Sequence, residues 1–113
     1  MKVGMPEFLQ VTTTVGSREE ADRIATTLVD RRLAGCVQII GPVRSVYRWQ
    51  GQIEHGEEWL CQIKTTSEQY AAVEASIREL HSYDCPEIIA TPIVTGSAAY
   101  LQWLAEQVNP SRS

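Results

Sequence analysis

At 113 residues the chain has the length of one ordinary domain, and its 43% apolar and 21% charged residues are typical of a protein with a buried core. A net charge of −4, with no basic run longer than Arg31-Arg32, argues against nucleic acid as a partner. No segment approaches the ~20 apolar residues that cross a bilayer, and the N-terminus lacks the apolar run of a secretory signal, so we expect no membrane contact and a cytoplasmic location.

The first two elements predicted are a strand and a helix. Phe8 to Val15 is rich in β-branched residues and indicates a strand. Ser17 lies three residues before Glu20, the spacing of a capping box, and apolar residues then recur at helical intervals. We expect this helix to close at Leu33-Ala34-Gly35, with Gly35 in the left-handed conformation.

A long hairpin follows the first helix. Cys36 to Trp49 reads as a strand with a bulge or edge position at Gly41-Pro42, and Gln52 to Thr66 reads as the returning strand. Fourteen residues span ~46 Å at ~3.3 Å each, whereas a compact chain of this size is roughly 34 Å across. The tip should therefore project and expose Tyr47, Trp49 and Ile53, which a second subunit would cover.

The remaining chain predicts a helix, a strand and a terminal helix. Ser67 should cap the second helix, Glu87 to Val94 should form the fourth strand, and Ser97 should start the last helix. The order β-α-β-β-α-β predicts an α+β, ferredoxin-like sandwich, an antiparallel sheet with helices on one face. We expect one domain over residues 1–113, with residues 1–6 and 109–113 frayed.

No enzyme signature is found. The three cysteines include no C-x-x-C pair, and their odd number argues against a disulfide framework; Cys36 and Cys61 are interpreted as core residues. Serine-hydrolase, zinc-protease and nucleotide-binding motifs are absent from the sequence. Cys36 would need an adjacent base to act as a nucleophile, and no base can be assigned to it. We therefore expect a protein that is not an enzyme.

Two side chains leave alternatives open. His81, at the end of the second helix, either caps that helix or binds copper or zinc together with Cys36, Cys85 or Glu87. Lys64 either pairs with Glu87, receives an anionic ligand in a subunit cleft, or lays its stem along apolar surface.

Four blocks of sequence, in order and in register, resemble the signature blocks of the CutA family of divalent-cation tolerance proteins. They are Leu33-Ala34-Gly35-Cys36-Val37, Ser45-Val46-Tyr47-Arg48-Trp49-Gln50-Gly51-Gln52-Ile53, Leu60-Cys61-Gln62-Ile63-Lys64-Thr65-Thr66 and His81-Ser82-Tyr83-Asp84-Cys85-Pro86-Glu87-Ile88. Gly35 and Ser82 stand where the family usually has Ala and Pro. Thr13 and Leu80 stand where copper-binding members offer Cys and a second His.

The resemblance implies a homotrimer acting in divalent-cation, above all copper, tolerance, with no required cofactor and with copper or another divalent cation as the ion it could bind. Of the family's copper ligands only His81 is present, and we predict a metal set of His81 with Cys36, Cys85 and Glu87 from the chemistry of these side chains. The resemblance also implies a subunit cleft lined by Lys64, Tyr83 and Glu87, and a trimer interface containing Tyr47, Trp49 and Ile53. The alternative it leaves open is a PII-like module that senses a small ligand or recruits a partner protein.

Overall fold

The computed structural model of the chain describes residues 7–108, so the expected fraying of 1–6 and 109–113 falls outside the described residues. Eight elements follow one another, and their types keep the predicted order apart from one added 3-10 turn. They are β1 (Phe8–Val15), α1 (Arg18–Asp30), β2 (Cys36–Trp49), β3 (Gln52–Thr66), the 3-10 turn Ser67–Gln69, α2 (Tyr70–Leu80), β4 (Ile88–Pro92) and α3 (Ala98–Gln107). None of the helices in this part of the chain is long and apolar enough to span a bilayer.

The strands form one antiparallel sheet in the order β2-β3-β1-β4, which confirms the predicted α+β class. Successive side chains of a strand alternate between the two faces of the sheet. Val11 and Val15 of β1 and Ile63 of β3 are fully buried with Ile24 of α1 and Ile77 of α2. The main core therefore lies between the first two helices and one face of the sheet. We call this face of the sheet the inner face and the opposite one the outer face.

The third helix departs from the expected single helical layer. Leu104 of α3 packs with Phe8 and Val108 in a second, separate cluster. Phe8 and Val11 have opposite parity in β1, so they project to opposite faces of the sheet. The terminal helix therefore covers one end of the outer face, while α1 and α2 cover the inner face.

The start of α1 agrees with the prediction, whereas its predicted end is wrong. The Ser17 hydroxyl accepts a hydrogen bond from the Glu20 amide at 3.1 Å, as an N-cap should. The helix stops at Asp30, and Arg32, not Gly35, takes the left-handed conformation with φ 60°. Gly35 is needed for space, because a Cβ there would lie 2.5 Å from Cδ1 of Leu104.

The second helix and the fourth strand are both shorter than predicted. Ser67 does not cap α2 but begins the 3-10 turn, and the N-cap residue Gln69 makes no side-chain capping hydrogen bond. Strand β4 covers only Ile88–Pro92 of the predicted Glu87 to Val94. The residue pairing with β1 ends at Leu9 and Pro92, and the Ile93 amide donates one further hydrogen bond to the Phe8 carbonyl at 3.0 Å.

The central hairpin has the predicted bounds and the predicted irregularity. The register between β2 and β3 shifts between Ile40 and Val43, which places the bulge at Gly41-Pro42. A Cβ at Gly41 would lie 2.4 Å from the ring of Trp59, so only glycine lets this ring pack across the bulge. Beyond it the hairpin extends the molecule to 46 × 33 × 23 Å.

Candidate functional site

The loop that joins α2 to β4 begins with a histidine whose ring is enclosed. His81 is the C-terminal cap residue of α2, and its side chain is fully buried. Its Nδ1 accepts the Tyr83 backbone N–H at 3.1 Å, so this nitrogen carries no proton. Nε2 then holds the proton and donates it to the Thr14 carbonyl at 2.8 Å. Both ring nitrogens are therefore engaged by the backbone, and a metal would have to displace one of these bonds.

A buried carboxylate fixes the next residue of the loop. Glu20 is 8% exposed, and its side chain accepts from the Ser82 amide at 2.8 Å and from the Ser82 hydroxyl at 3.1 Å. The carboxylate also lies 3.6 Å from Nδ1 of His81. That separation is not an ion pair, because the same nitrogen already accepts the Tyr83 amide proton. Glu20 thus ties the loop to α1 instead of completing the capping box at Ser17.

Tyr83 ties the same loop to the hairpin. Its hydroxyl donates to the Glu58 carboxylate at 3.0 Å, and its ring lies 4.7 Å from the ring of His81, centroid to centroid. Burial, followed by the hydrogen bond to Glu58, raises the pKa of Tyr83 to about 12. The phenol therefore keeps its proton and its donor role at neutral pH. Glu58 pairs with Val43 at the bulge, so the loop is anchored where the hairpin leaves the body.

The four residues of the implied metal set do not meet within one chain. Cys85 and Glu87 are exposed, two residues apart on the loop. Residues that lie opposite one another on neighbouring strands form a row across the sheet. Cys36, Lys64 and Gln10 share one such row, whereas His81 contacts Thr14. Four residues along β1 separate these rows by roughly 13 Å. Within residues 7–108, no three His, Cys, Asp or Glu side chains lie close enough together to hold a metal ion.

The three residues expected to line a subunit cleft, Lys64, Tyr83 and Glu87, are also far apart within one chain. Lys64 lies in the outer-face row of Cys36 and Gln10, and its ammonium donates to the Gln38 side-chain oxygen. Tyr83 and Glu87 lie at the other end of β1, near Thr14. A cleft that contains all three side chains would need a second copy of the chain, and remains a prediction.

The residues expected at a subunit interface are exposed in the single chain. Trp49 is 57% exposed, Ile53 61% and Tyr47 47%. Sequence reasoning missed Val46, which is 59% exposed on the same hairpin, although its place beside Tyr47 signals it. By the register, Tyr47 and Trp49 lie on one face of the hairpin and Val46 and Ile53 on the other, so apolar side chains are exposed on both faces. Apolar side chains clustered on the surface of a soluble protein mark a contact site.

Sequence reasoning assigned a different role, or no role, to three further residues near the site. No sequence pattern indicates the role of Glu58, because Glu58 accepts a hydrogen bond from a loop residue 25 positions away in the chain. Glu20 carried the capping-box signal, which predicted a different partner. Thr13, at the position for which the family resemblance implied Cys, is fully buried on the inner face, and its hydroxyl has no hydrogen-bond partner within residues 7–108.

Comparison with known proteins gives one consistent match. The family profile described as CutA1 divalent ion tolerance protein covers residues 9–107. The divalent-cation tolerance protein CutA of Thermus thermophilus is 44% identical over 96 residues, which is 85% of this chain and 93% of that protein.

Solved structures match equally well. The structure of CutA1 from the psychrotrophic bacterium Shewanella sp. SIB1 superposes with a TM-score of 0.89 at 42% identity, over 92% of this chain and 97% of that one. A structure from Archaeoglobus fulgidus, described as a periplasmic divalent cation tolerance protein, superposes with a TM-score of 0.87 at 40% identity, over 89% of this chain and 98% of that one. The chain belongs to the CutA1 family of divalent ion tolerance proteins.

Proposed function

We propose that this chain acts in divalent-cation tolerance as a homotrimer, not as an enzyme, and that the long hairpin is its assembly element. The observation that carries the proposal is the exposure of apolar side chains on both faces of the hairpin, Val46 and Ile53 on one face and Tyr47 and Trp49 on the other. Leaving such side chains in water forgoes about 25 cal/mol per Å² of apolar area that a partner would cover.

The sheet supports a closed ring of identical copies. Both of its edge strands, β2 and β4, have one side without a strand partner among residues 7–108. When β2 of one copy meets β4 of the next, the contact is head-to-tail, and such contacts close into rings when the rotation between copies permits. We infer that the sheet is the ferredoxin-like one, with three copies in the ring and the hairpins locking neighbouring sheets together.

The metal role proposed here rests on Cys85 and Glu87. Both side chains are exposed on a loop whose other half is clamped by Glu20 and by the Tyr83–Glu58 hydrogen bond. A thiolate suits Cu(I), and a carboxylate adds charge and an oxygen donor. Two donors are too few for a complete coordination shell, so the loops of neighbouring copies or solvent would supply the rest. In this proposal His81 orients the loop, and Cys36 belongs to the outer face.

The assembly is tested by adding one charge at the hairpin. Trp49→Glu should dissociate the trimer, because a carboxylate would be buried in an apolar contact without a partner. Ala75→Glu, on the exposed face of α2, adds the same charge away from the hairpin and should leave the assembly unchanged. Sedimentation velocity separates the cases. Equal sedimentation of Trp49→Glu and wild type would contradict the assigned role of the hairpin.

The metal role is tested by calorimetric titration with copper(I) in a competing chelator. We expect Cys85→Ser combined with Glu87→Gln to abolish binding, and Cys36→Ser to retain it. Heats from wild type equal to those from an unrelated protein would contradict metal binding. Full binding by the double variant would contradict the assigned ligands.

A second candidate function, the PII-like sensing of a small ligand, is favoured by Lys64. Within residues 7–108 its ammonium has no carboxylate within 4 Å, so its charge is not neutralised inside the chain. A thermal-shift screen of small anions, cations and neutral metabolites tests this candidate. Stabilisation by at least one compound is expected, and a flat screen would contradict it.

A further inference from the structure

Glu58 lies on the same face of the hairpin as Tyr47 and Trp49. The register pairs Glu58 directly with Val43, and beyond Val43 the pairing of β2 with β3 runs without a further shift to Trp49. Val43, Tyr47 and Trp49 are even numbers of positions apart, and such side chains project to one face of a strand pair, as do directly opposed ones. The carboxylate that accepts the Tyr83 hydroxyl therefore belongs to a face on which an apolar contact between copies is proposed.

Tyr83 reaches this face from the loop that joins α2 to β4. Its hydroxyl donates to the Glu58 carboxylate at 3.0 Å. After burial and the interaction with Glu58, Tyr47 makes a smaller contribution to the raised pKa of Tyr83, which places the two phenols near each other. In the single chain Tyr83 is exposed and Glu58 is half-buried, so water reaches the bond between them.

The two clamps of the loop therefore differ in how much water reaches them. The Glu20 carboxylate, which holds Ser82, is already 8% exposed in the single chain. At the Tyr83–Glu58 bond, water competes for the donor and the acceptor, so the net contribution of the bond is small. Excluding that water lowers the local dielectric and strengthens the bond. A copy that covers Tyr47 would also exclude water from this bond, because the groups share one face of the hairpin.

We propose that the Tyr83–Glu58 hydrogen bond makes the metal affinity of the loop depend on assembly. Glu58 is then a positioning residue, which holds the loop with Cys85 and Glu87 in one conformation once the next copy covers the hairpin. In the separate chain the same bond is open to water and holds the loop weakly. Coupling between two binding events is reciprocal, so copper would stabilise the assembly by the factor by which assembly raises the copper affinity. The inference rests on the proposed assembly and on the proposed metal role.

The test is a double-mutant cycle on the affinity of the full chain for copper(I), measured by calorimetric titration in a competing chelator. Tyr83→Phe removes the hydroxyl and keeps the ring, and Trp49→Glu separates the copies without altering the loop. The matched control is Tyr70→Phe, which removes a hydroxyl whose carboxylate partner, Glu74, lies on the same helix, α2, away from the loop.

In the assembled protein we expect Tyr83→Phe to weaken copper(I) binding roughly tenfold to a hundredfold and Tyr70→Phe to leave it unchanged. Trp49→Glu should weaken binding to the same extent as Tyr83→Phe. Adding Tyr83→Phe to Trp49→Glu should then weaken it by no more than about twofold further, because the separated chain has already lost the buried bond.

Four results would overturn the inference. Equal affinities of Tyr83→Phe and wild type would do so while the metal role stands. An equal loss from Tyr83→Phe in the assembled and the separated chain would show that the bond acts without assembly. A Trp49→Glu protein that stays assembled would contradict the contact role of this face. Wild type that binds no copper(I) would contradict the metal role itself, and the inference with it. Should Tyr83→Phe fail to fold, Glu58→Ala removes the acceptor in place of the donor, and the same four results decide.

Discussion

Glu20 links the first helix to the candidate site, and its removal has a calculable cost. Glu20→Ala deletes two hydrogen bonds from a buried carboxylate, to the Ser82 amide at 2.8 Å and to the Ser82 hydroxyl at 3.1 Å. Hydrogen bonds to a charged group contribute about 1.5–3 kcal/mol each. Because Ser82 is exposed, water replaces part of this interaction, and we take the lower end of the range for both bonds. The expected loss is about 3 kcal/mol.

Glu19→Ala is the matched control. Glu19 lies in the same first turn of α1 and shares the favourable interaction with the helix dipole, about 0.3–1 kcal/mol, but it is exposed and does not contact the loop. Urea unfolding at one fixed chain concentration measures both free energies, since the proposed assembly would make stability depend on concentration. We expect Glu20→Ala to lose at least 2 kcal/mol more than Glu19→Ala, on the order of the two lost hydrogen bonds. A difference below about 0.5 kcal/mol would refute the assigned role of Glu20.

The same unfolding assay tests three further expectations. Thr13→Val removes a buried hydroxyl without a partner at nearly constant shape and should stabilise by about 1 kcal/mol; a loss of stability would show that the hydroxyl is satisfied. Gly35→Ala should cost about 1–3 kcal/mol through its contact with Leu104, and unchanged stability would mean that α3 moves freely. Burial raises the pKa of Cys61 from 9.0 to about 11, and burial with the Glu58 bond raises that of Tyr83 from 10.0 to about 12. The unfolded state loses these protons at lower pH than the native state, so the free energy of unfolding should fall from pH 9 to 12. The fall should be less steep in Tyr83→Phe than in wild type, and identical slopes for the two proteins would contradict this.

The bounds of three of the four strands were predictable because local signals lie at both of their ends. Phe8–Val15, Cys36–Trp49 and Gln52–Thr66 have the bounds expected from sequence. Gly16 and the turn at Gln50-Gly51 mark the ends of runs of β-branched residues. The alternating pattern of a strand and the turn residues at its ends therefore predict the same bounds. The projecting hairpin followed from arithmetic alone, since a strand of 14 residues exceeds the width of a compact domain.

The wrong predictions concern residues whose role is set by a segment that is distant in the sequence. Gly35 reads as a helix terminator, but its role depends on Leu104, which arrives from α3. Glu20 reads as a local cap, but its carboxylate turns to a loop 62 residues away. Within one chain His81 and Cys36 lie at different rows of the sheet, and their joint metal site stays a prediction, because sequence shows which residues can bind metal and not the row in which each lies. The sequence shows that successive side chains of a strand alternate between the two faces of the sheet. It does not show how far apart along the strands the rows of His81 and Cys36 lie.

The most direct test of the account is the molar mass of the wild-type chain in dilute solution. We propose that further copies of the chain cover the exposed hairpin and the two sheet edges that lack strand partners among residues 7–108, with three copies in the assembly. Size-exclusion chromatography with light scattering should give about three times the 12.6 kDa of one chain, unchanged on dilution. A stable mass equal to that of a single chain would contradict the account.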